Sequence, residues 1–220
     1  APSITMGKKK SGEAPGWMAE AAKAGAAQTF IHVSAIVPED HLGNRYAEAK
    51  RAGEARVRAA FPDATILRPS LLFGQGGGVT ELFAPLIARL PVLPVFGAEA
   101  KVQPAYVADV AEAAARAVAE PGRFGGTTFE LAGPEVMTML ELQQRMAAGQ
   151  RRSPRFLPMP DSVSALFAAL PGTPMNDDQW GLLKAGNVAS AGAKGFKALG
   201  IDPRPLDLFL EEWMTKYRKH

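Results

Sequence analysis

The sequence predicts an α/β fold built on a parallel sheet, and three observations carry that prediction. The 220 residues are 47% hydrophobic and 21% charged, enough apolar mass for a real core and too much for whole-chain disorder. Twenty-two glycines and 18 prolines punctuate the chain more often than a helical bundle or coiled coil tolerates. Short β-branched runs also alternate with helical stretches of the length that parallel crossovers need.

The elements follow in order. Ala1 to Gly16 lacks the apolar centre of a signal peptide and reads as a flexible leader or a cloning remnant. From Trp17 an alanine-rich helix runs to about Lys23 and stops at Gly25; the run Phe30, Ile31, Val33, Ile36 is a buried strand. A polar loop with Pro38 and Gly43 leads to a helix from Asn44 to Ala60, and Thr65 to Leu67 is the next strand, closed by Pro69. Beyond Gly74 come a glycine triplet, a helix from Val79 to Leu90, and extended pieces at Val92 to Phe96 and Lys101 to Ala105. Tyr106 to Glu120 is amphipathic, with Val107, Val110, Ala114 and Val118 on one face. Thr127 to Leu131 is a buried strand before a turn at Gly133 and Pro134, and Met139 to Ala148 a helix. The remainder is mixed: a short extended piece at Phe156 and Leu157, helices at Ser162 to Leu170 and Asp177 to Lys184, and a closing amphipathic helix from Pro205 to Arg218. The expected division is a leader over 1–15, a sheet domain over 16–135 and a small subdomain over 136–220.

Composition excludes several functions. No cysteine rules out a disulfide scaffold, a thiolate zinc site and a cysteine nucleophile. His32, His41 and His220 are scattered and make no metal set; His32 lies inside a strand and reads as a packed residue, and Met137, Met139 and Met146 as helix packing. The net charge of +3 comes from interspersed charges, so nucleic acid is not an expected partner. The basic clusters Lys8 to Lys10 and Lys216 to His220 read as solvated ends. No apolar run reaches the roughly 18 residues of a membrane span.

One spacing carries chemistry. Tyr46 and Lys50, four apart, share a helical face twelve residues after Ser34 at a strand end, the end that faces the ligand crevice in open α/β sheets. A lysine ammonium one turn from a phenol is expected to lower its pKa from about 10 and let it pass a proton near neutral pH.

The residues around that spacing resemble a known family. FIHVSAI from Phe30, then NRYAEAKRAGEARVRAAFPDATILRPSLLFG, resembles the atypical extended short-chain dehydrogenase/reductases, and within them the NADPH-binding accessory subunit of respiratory complex I (NADH:ubiquinone oxidoreductase) and its bacterial relatives. VQPAYVADVA from Val102, FELAGPEVMTMLEL from Phe129 and the terminal ALGIDPRPLDLFLEEW extend the resemblance over Ala14 to His220. It implies a Rossmann-like doubly wound parallel sheet, truncated at the N-terminus, with a small C-terminal α/β subdomain. It further implies that Tyr46 and Lys50 sit at the nicotinamide ribose of NADP(H) or NAD(H), that Ser34 borders the nicotinamide, and that Arg68, Pro69 and Ser70 cross under the ring. Val102 to Tyr106 would line the cleft with Gln103 and Tyr106 as polar groups, and Asp109 would be an acid at a helix start, favourable there on dipole grounds alone.

Two departures shape the functional expectation. Ala35 follows Ser34 where many catalytic members carry a further hydroxyl, which thins a proton relay. The strand and G-x-x-G-x-x-G loop that hold the pyrophosphate in the family have no counterpart upstream of Ser34, and Gly74 to Gly78, at the substrate side of the cleft, reads as a turn rather than a phosphate cradle. The expectation is an NAD(P)H-binding accessory or assembly protein with a structural nucleotide, bound weakly or not at all by this chain alone. The alternatives are an active NAD(P)-dependent reductase or nucleotide-sugar epimerase/dehydratase using Tyr46, Lys50 and Ser34 as catalytic residues, and a truncated product without a nucleotide site. Complex I subunits are the implied partners, and the implied location is cytoplasmic, peripheral on the bacterial inner membrane or on the mitochondrial matrix side. Self-association through the sheet edge at Phe30 to Ile36 is also expected.

Overall fold

The computed structural model describes residues 8–37, 43–169 and 177–218. The loop at Pro38, His41, the helix end at Leu170, the first seven residues, and Lys219 and His220 lie outside them. In chain order the elements begin α1 (Lys8–Ala24), β1 (Ile31–Val33), α2 (Arg45–Ala60), β2 (Thr65–Pro69), β3 (Leu72–Gly74), α3 (Gly78–Arg89) and β4 (Val92–Val95). They continue β5 (Lys101–Val102), β6 (Ala105–Tyr106), α4 (Val107–Ala119), α5 (Pro121–Phe124), β7 (Thr128–Leu131), β8 (Met137–Thr138) and α6 (Met139–Gly149). The last are β9 (Arg155–Pro158), α7 (Asp161–Ala169), α8 (Asp177–Ala185) and α9 (Asp207–Trp213), with 3-10 turns at Phe196–Leu199 and Thr215–Tyr217.

The chain does not divide once at residue 135, as expected, but forms two interleaved units. The first holds residues up to Pro69, Asp109–Leu131 and Ala189–Asp202; the second holds Ser70–Ala108, Ala132–Val188 and Pro203 onward. The physical reason is the parallel sheet. A parallel neighbour for β2 must return by a crossover, and this crossover builds part of a second core on its way.

In the first unit β1, β2 and β7 form a parallel sheet with β2 central. His32 stands opposite Ile66, Ile66 opposite Thr128, and Arg68 opposite Glu130. The β1 ladder runs past its last residue, with Ser34 N–H donating to the Leu67 carbonyl at 2.7 Å and Ile36 N–H to Pro69 at 3.0 Å. Because side chains alternate along a strand, His32, Ser34, Arg68, Thr128 and Glu130 share one face. That face lies toward α2, since Glu54 and Arg58 reach Arg68 and Thr128 across it. The opposite face carries the buried apolar Leu67, Phe129 and Leu131.

The leader reading is corrected: helix α1 begins at Lys8, not Trp17. Small residues on both sides allow its close approach to α2. A Cβ on Gly16 would stand 2.8 Å from that of Arg56, and one on Gly53 would meet the Pro15 ring at 3.3 Å. Ala19, Val57, Phe61 and Ala64 form the buried seam. Asn44 starts α2 by accepting the Ala47 N–H on its side chain at 3.0 Å.

In the second unit β3 pairs with β6 and β4 with β9, both parallel, and β5 with β8 antiparallel. The core gathers Phe73, Ile87, Leu93, Leu142, Met146 and Met214. Met139 and Met146 are buried in it from α6, as expected of helix packing, whereas Met137 is buried from strand β8. Thr138 and Glu141 close a reciprocal capping box on α6. A side chain at Gly133 would fall on the Pro104 carbonyl oxygen, so only glycine lets the two backbones pass.

The closing helix is shorter than expected, because its last turn tightens to 3-10 with Tyr217 N–H on the Met214 carbonyl at 3.0 Å. The basic end is not simply solvated: Lys216 meets Glu81 at 3.0 Å, and Arg218 donates to the Gly149 carbonyl at 3.0 Å and pairs with Glu211 at 2.8 Å.

Candidate functional site

Helix α2 presents Tyr46, Lys50 and Glu54 at successive i, i+4 positions, one stripe along its length. Lys50 Nζ lies over the Tyr46 ring, 5.6 Å from its centroid. The expectation that Lys50 lowers the phenol's pKa is corrected: burial pushes the Tyr46 hydroxyl above its ordinary value. The ammonium faces the π-cloud, where it gains a cation–π contact. Burial pushes Lys50 itself down, and the nearby Glu54 carboxylate opposes this.

Glu54 holds the stripe together, and no feature of the sequence reading singled it out. It is 6% exposed. The Arg68 guanidinium forks onto it, with Nε 3.0 Å from Oε1 and Nη2 2.6 Å from Oε2. Arg68 Nη1 reaches Glu130 Oε1 at 3.5 Å, and Glu130 Oε2 accepts the Ser190 N–H at 2.7 Å. The bond to Glu54 is the largest cause holding the Arg68 guanidinium's pKa above its ordinary value. Two clues were present in the sequence: Glu54 continues the Tyr46, Lys50 spacing, and Glu130 interrupts an apolar strand. The side chain of Arg68, read as a nucleotide contact, is thus committed to two carboxylates; its backbone remains in β2, which runs to Pro69.

Two polar atoms on the same sheet face, Ser34 Oγ and His32 Nε2, are both buried and have no hydrogen-bond partner among the described residues. Ser34 is 4% exposed and stands at the strand end where the sequence placed it. His32 lies against α2, its Nε2 3.8 Å from where a Cβ on Gly53 would be. Burial is the largest cause lowering its pKa; Lys50 adds to it and Glu54 opposes.

Ser70 and Gln103 belong to the second unit and bond to each other: Ser70 Oγ donates to the Gln103 carbonyl at 2.5 Å, and Gln103 Nε2 donates to the Gly133 carbonyl at 2.7 Å. Tyr106 stacks on Phe73 and meets Phe209 and Trp213 at a tilt, with Arg204 4.5 Å from its centroid. Asp109 is buried in the first turn of α4. The glycine loop is turned inward: Gly76 and Gly78 take φ of +76° and +66°, Thr80 Oγ1 lies within 2.7 Å of the Gly74 and Gly77 carbonyls, and Glu81 accepts a backbone bond from Gly76. Among the described residues no cluster of acids and histidines could hold a metal ion.

The family match and the relatives show the class, the atypical short-chain dehydrogenase/reductases, and the parallel sheet with flanking helices agrees with it. The fold of an NADPH-dependent quinone oxidoreductase of Escherichia coli, solved with NADPH, matches over 94% of this chain and 72% of that one, with a TM-score of 0.72 and 21% identity. The chain belongs to the family described as RmlD substrate binding domain, whose model matches residues 12–173. A mitochondrial NADH dehydrogenase [ubiquinone] 1 alpha subcomplex subunit 9 from Arabidopsis thaliana is 31% identical over 209 residues, 89% of this chain and 52% of that protein. A ceramide reductase of Caulobacter vibrioides is 44% identical over 93 residues, 42% of this chain and 29% of that protein. The chain thus spans about half the length of the complex I relative. No described helix is long and apolar enough to cross a membrane.

Proposed function

We propose that this protein is an NAD(P)H-binding accessory or assembly protein of the complex I kind, in which the nucleotide serves structure and not turnover. The carrying observation is the placing of the pair: Lys50 Nζ lies over the Tyr46 ring, 5.6 Å from its centroid, and burial raises the phenol's pKa, which disfavours the phenolate that a proton-abstracting tyrosine would use. Lys50, Tyr46 and Ser34 would hold the nicotinamide ribose end. The partnerless Ser34 hydroxyl fits that role, whereas the Arg68 side chain and the Gly74 to Gly78 loop are engaged elsewhere. When bound, NAD(P)H supplies hydride chemistry; this chain's residues supply a polar, buried surface for its sugar. Complex I subunits are the proposed partners, and the proposed location is peripheral, at the cytoplasmic face of a bacterial inner membrane or the matrix side of the mitochondrial one.

The test uses a longer form carrying a G-x-x-G-x-x-G loop upstream. Tyr46→Phe should leave bound NADPH largely intact, and Lys50→Met should deplete it. Turnover of NADPH with a carbonyl or nucleotide-sugar substrate above about 1 per second, within the usual enzyme range, and its loss in Tyr46→Phe would replace this reading with a reductase. The similarity to the ceramide reductase favours that second reading, with Tyr46 as acid and Ser34 as its hydroxyl partner.

A further inference from the structure

We propose that the outer face of α3, together with the outer face of the β4–β9 pair, docks on an anionic lipid surface. Helix α3 is apolar on both sides. Val79, Ala84 and Ile87 are buried in the core of the second unit, while Leu82, Leu86 and Leu90, at successive i, i+4 positions, are 59%, 42% and 40% exposed. A helix apolar all round is normally covered all round, and a contiguous exposed apolar patch marks an interaction surface.

Exposed apolar residues continue along the chain into the next strand pair. Leu90 leads through Pro91 into β4, Arg155 N–H donates to the Pro91 carbonyl at 2.9 Å, and Val92 stands opposite Arg155. Alternation buries Leu93 and Val95 and turns Val92, Pro94 and Leu157 outward. Helix α7 follows at once, with Leu166 66% exposed.

Charge and backbone chemistry choose the occupant. Arg89 and Arg155 flank the apolar face, and neither has an ion-pair partner among the described residues, while the neighbouring acid Asp161 is held by Lys184 at 2.9 Å. Apolar side chains edged by these exposed arginines match the acyl boundary and anionic headgroups of a membrane surface. Pro94 and Pro158 lack N–H donors on the paired strands, which makes this pair a poor template for a strand of a second copy. The surface lies within the second unit and does not depend on the nucleotide reading, which can fail without affecting it.

The test is flotation of the 220-residue chain with phosphatidylcholine vesicles and with phosphatidylcholine mixed with phosphatidylglycerol. Association is expected with the anionic vesicles, weakening as salt rises. Arg89→Glu and Arg155→Glu should each lower it about fivefold or more, the value of one basic residue near such a surface. Leu86→Glu should abolish it while the thermal melt holds, since the side chain is exposed; Leu82→Ser is the second variant if Leu86→Glu fails to fold. No association at low salt, equal association with neutral vesicles, or association unchanged in the variants overturns the proposal. A dimer in light scattering that Leu86→Glu dissolves, without vesicle binding, would assign the face to a second copy instead.

Discussion

Arg68 grips Glu54 with two nitrogens, at 3.0 and 2.6 Å, and through them ties helix α2 to the middle strand of its sheet. The carboxylate is almost fully buried and the guanidinium side chain is 31% exposed, so loss of either partner strands the other in a poorly solvated site. Glu54→Gln and Arg68→Leu should each destabilise the protein by about 2–4 kcal/mol, below the figure for a fully buried pair because water reaches the arginine. The double variant should cost clearly less than the sum, read by denaturant melts in a double-mutant cycle. Additive costs would mean the pair is not coupled.

Tyr46 should ionise late. Burial raises its pKa above 10.0, so a spectroscopic tyrosinate titration should show one of the three tyrosines ionising only beyond the ordinary range, and Tyr46→Phe should remove that step. A tyrosinate formed below about pH 9 would restore the proton-passing reading.

His32 should make the fold acid-sensitive. Its pKa is lowered from 6.5 by burial and by Lys50, so below that value the unfolded chain binds the proton first. Stability is then present above 6.5 and falls as pH drops, by at most about 1.4 kcal/mol per pH unit for one proton. With three histidines in the chain, NMR can follow each imidazole, and His32→Phe should flatten the acid slope. A normal or raised His32 titration would refute this.

Gly133→Ala should destabilise the protein by about 3 kcal/mol or more, or prevent folding, because its methyl overlaps the Pro104 carbonyl. Gly122, in the short helix α5 with nothing within 4 Å of an added Cβ, is the control: Gly122→Ala should be neutral or stabilising by up to about 1 kcal/mol.

The 220-residue chain by itself should bind NADPH with a high micromolar constant or weaker, since no G-x-x-G-x-x-G pyrophosphate loop lies within it. Nicotinamide fluorescence titration measures this, and a submicromolar constant would send attention back to Gly74 to Gly78. Self-association through the β1 edge, whose only strand partner among the described residues is β2, should appear in light scattering and be indifferent to Leu86→Glu; a monodisperse monomer would discard it.

The sequence by itself determined the fold class, the longer strands and helices, and the placing of Tyr46 and Lys50 on one helix after Ser34, because periodicity, turn residues and capping are local; it missed the short pieces β3, α5 and β8, which are too brief to show a period. The helix at Lys8 escaped it, since that segment is polar and is held against α2 by close approach of small residues far apart in sequence. Tertiary structure alone decided that Lys50 covers the Tyr46 ring, that Arg68 belongs to Glu54 and Glu130, and that the chain weaves between two units. Each of these depends on the orientation and desolvation of groups brought together from distant segments, and neither is a property of residue spacing.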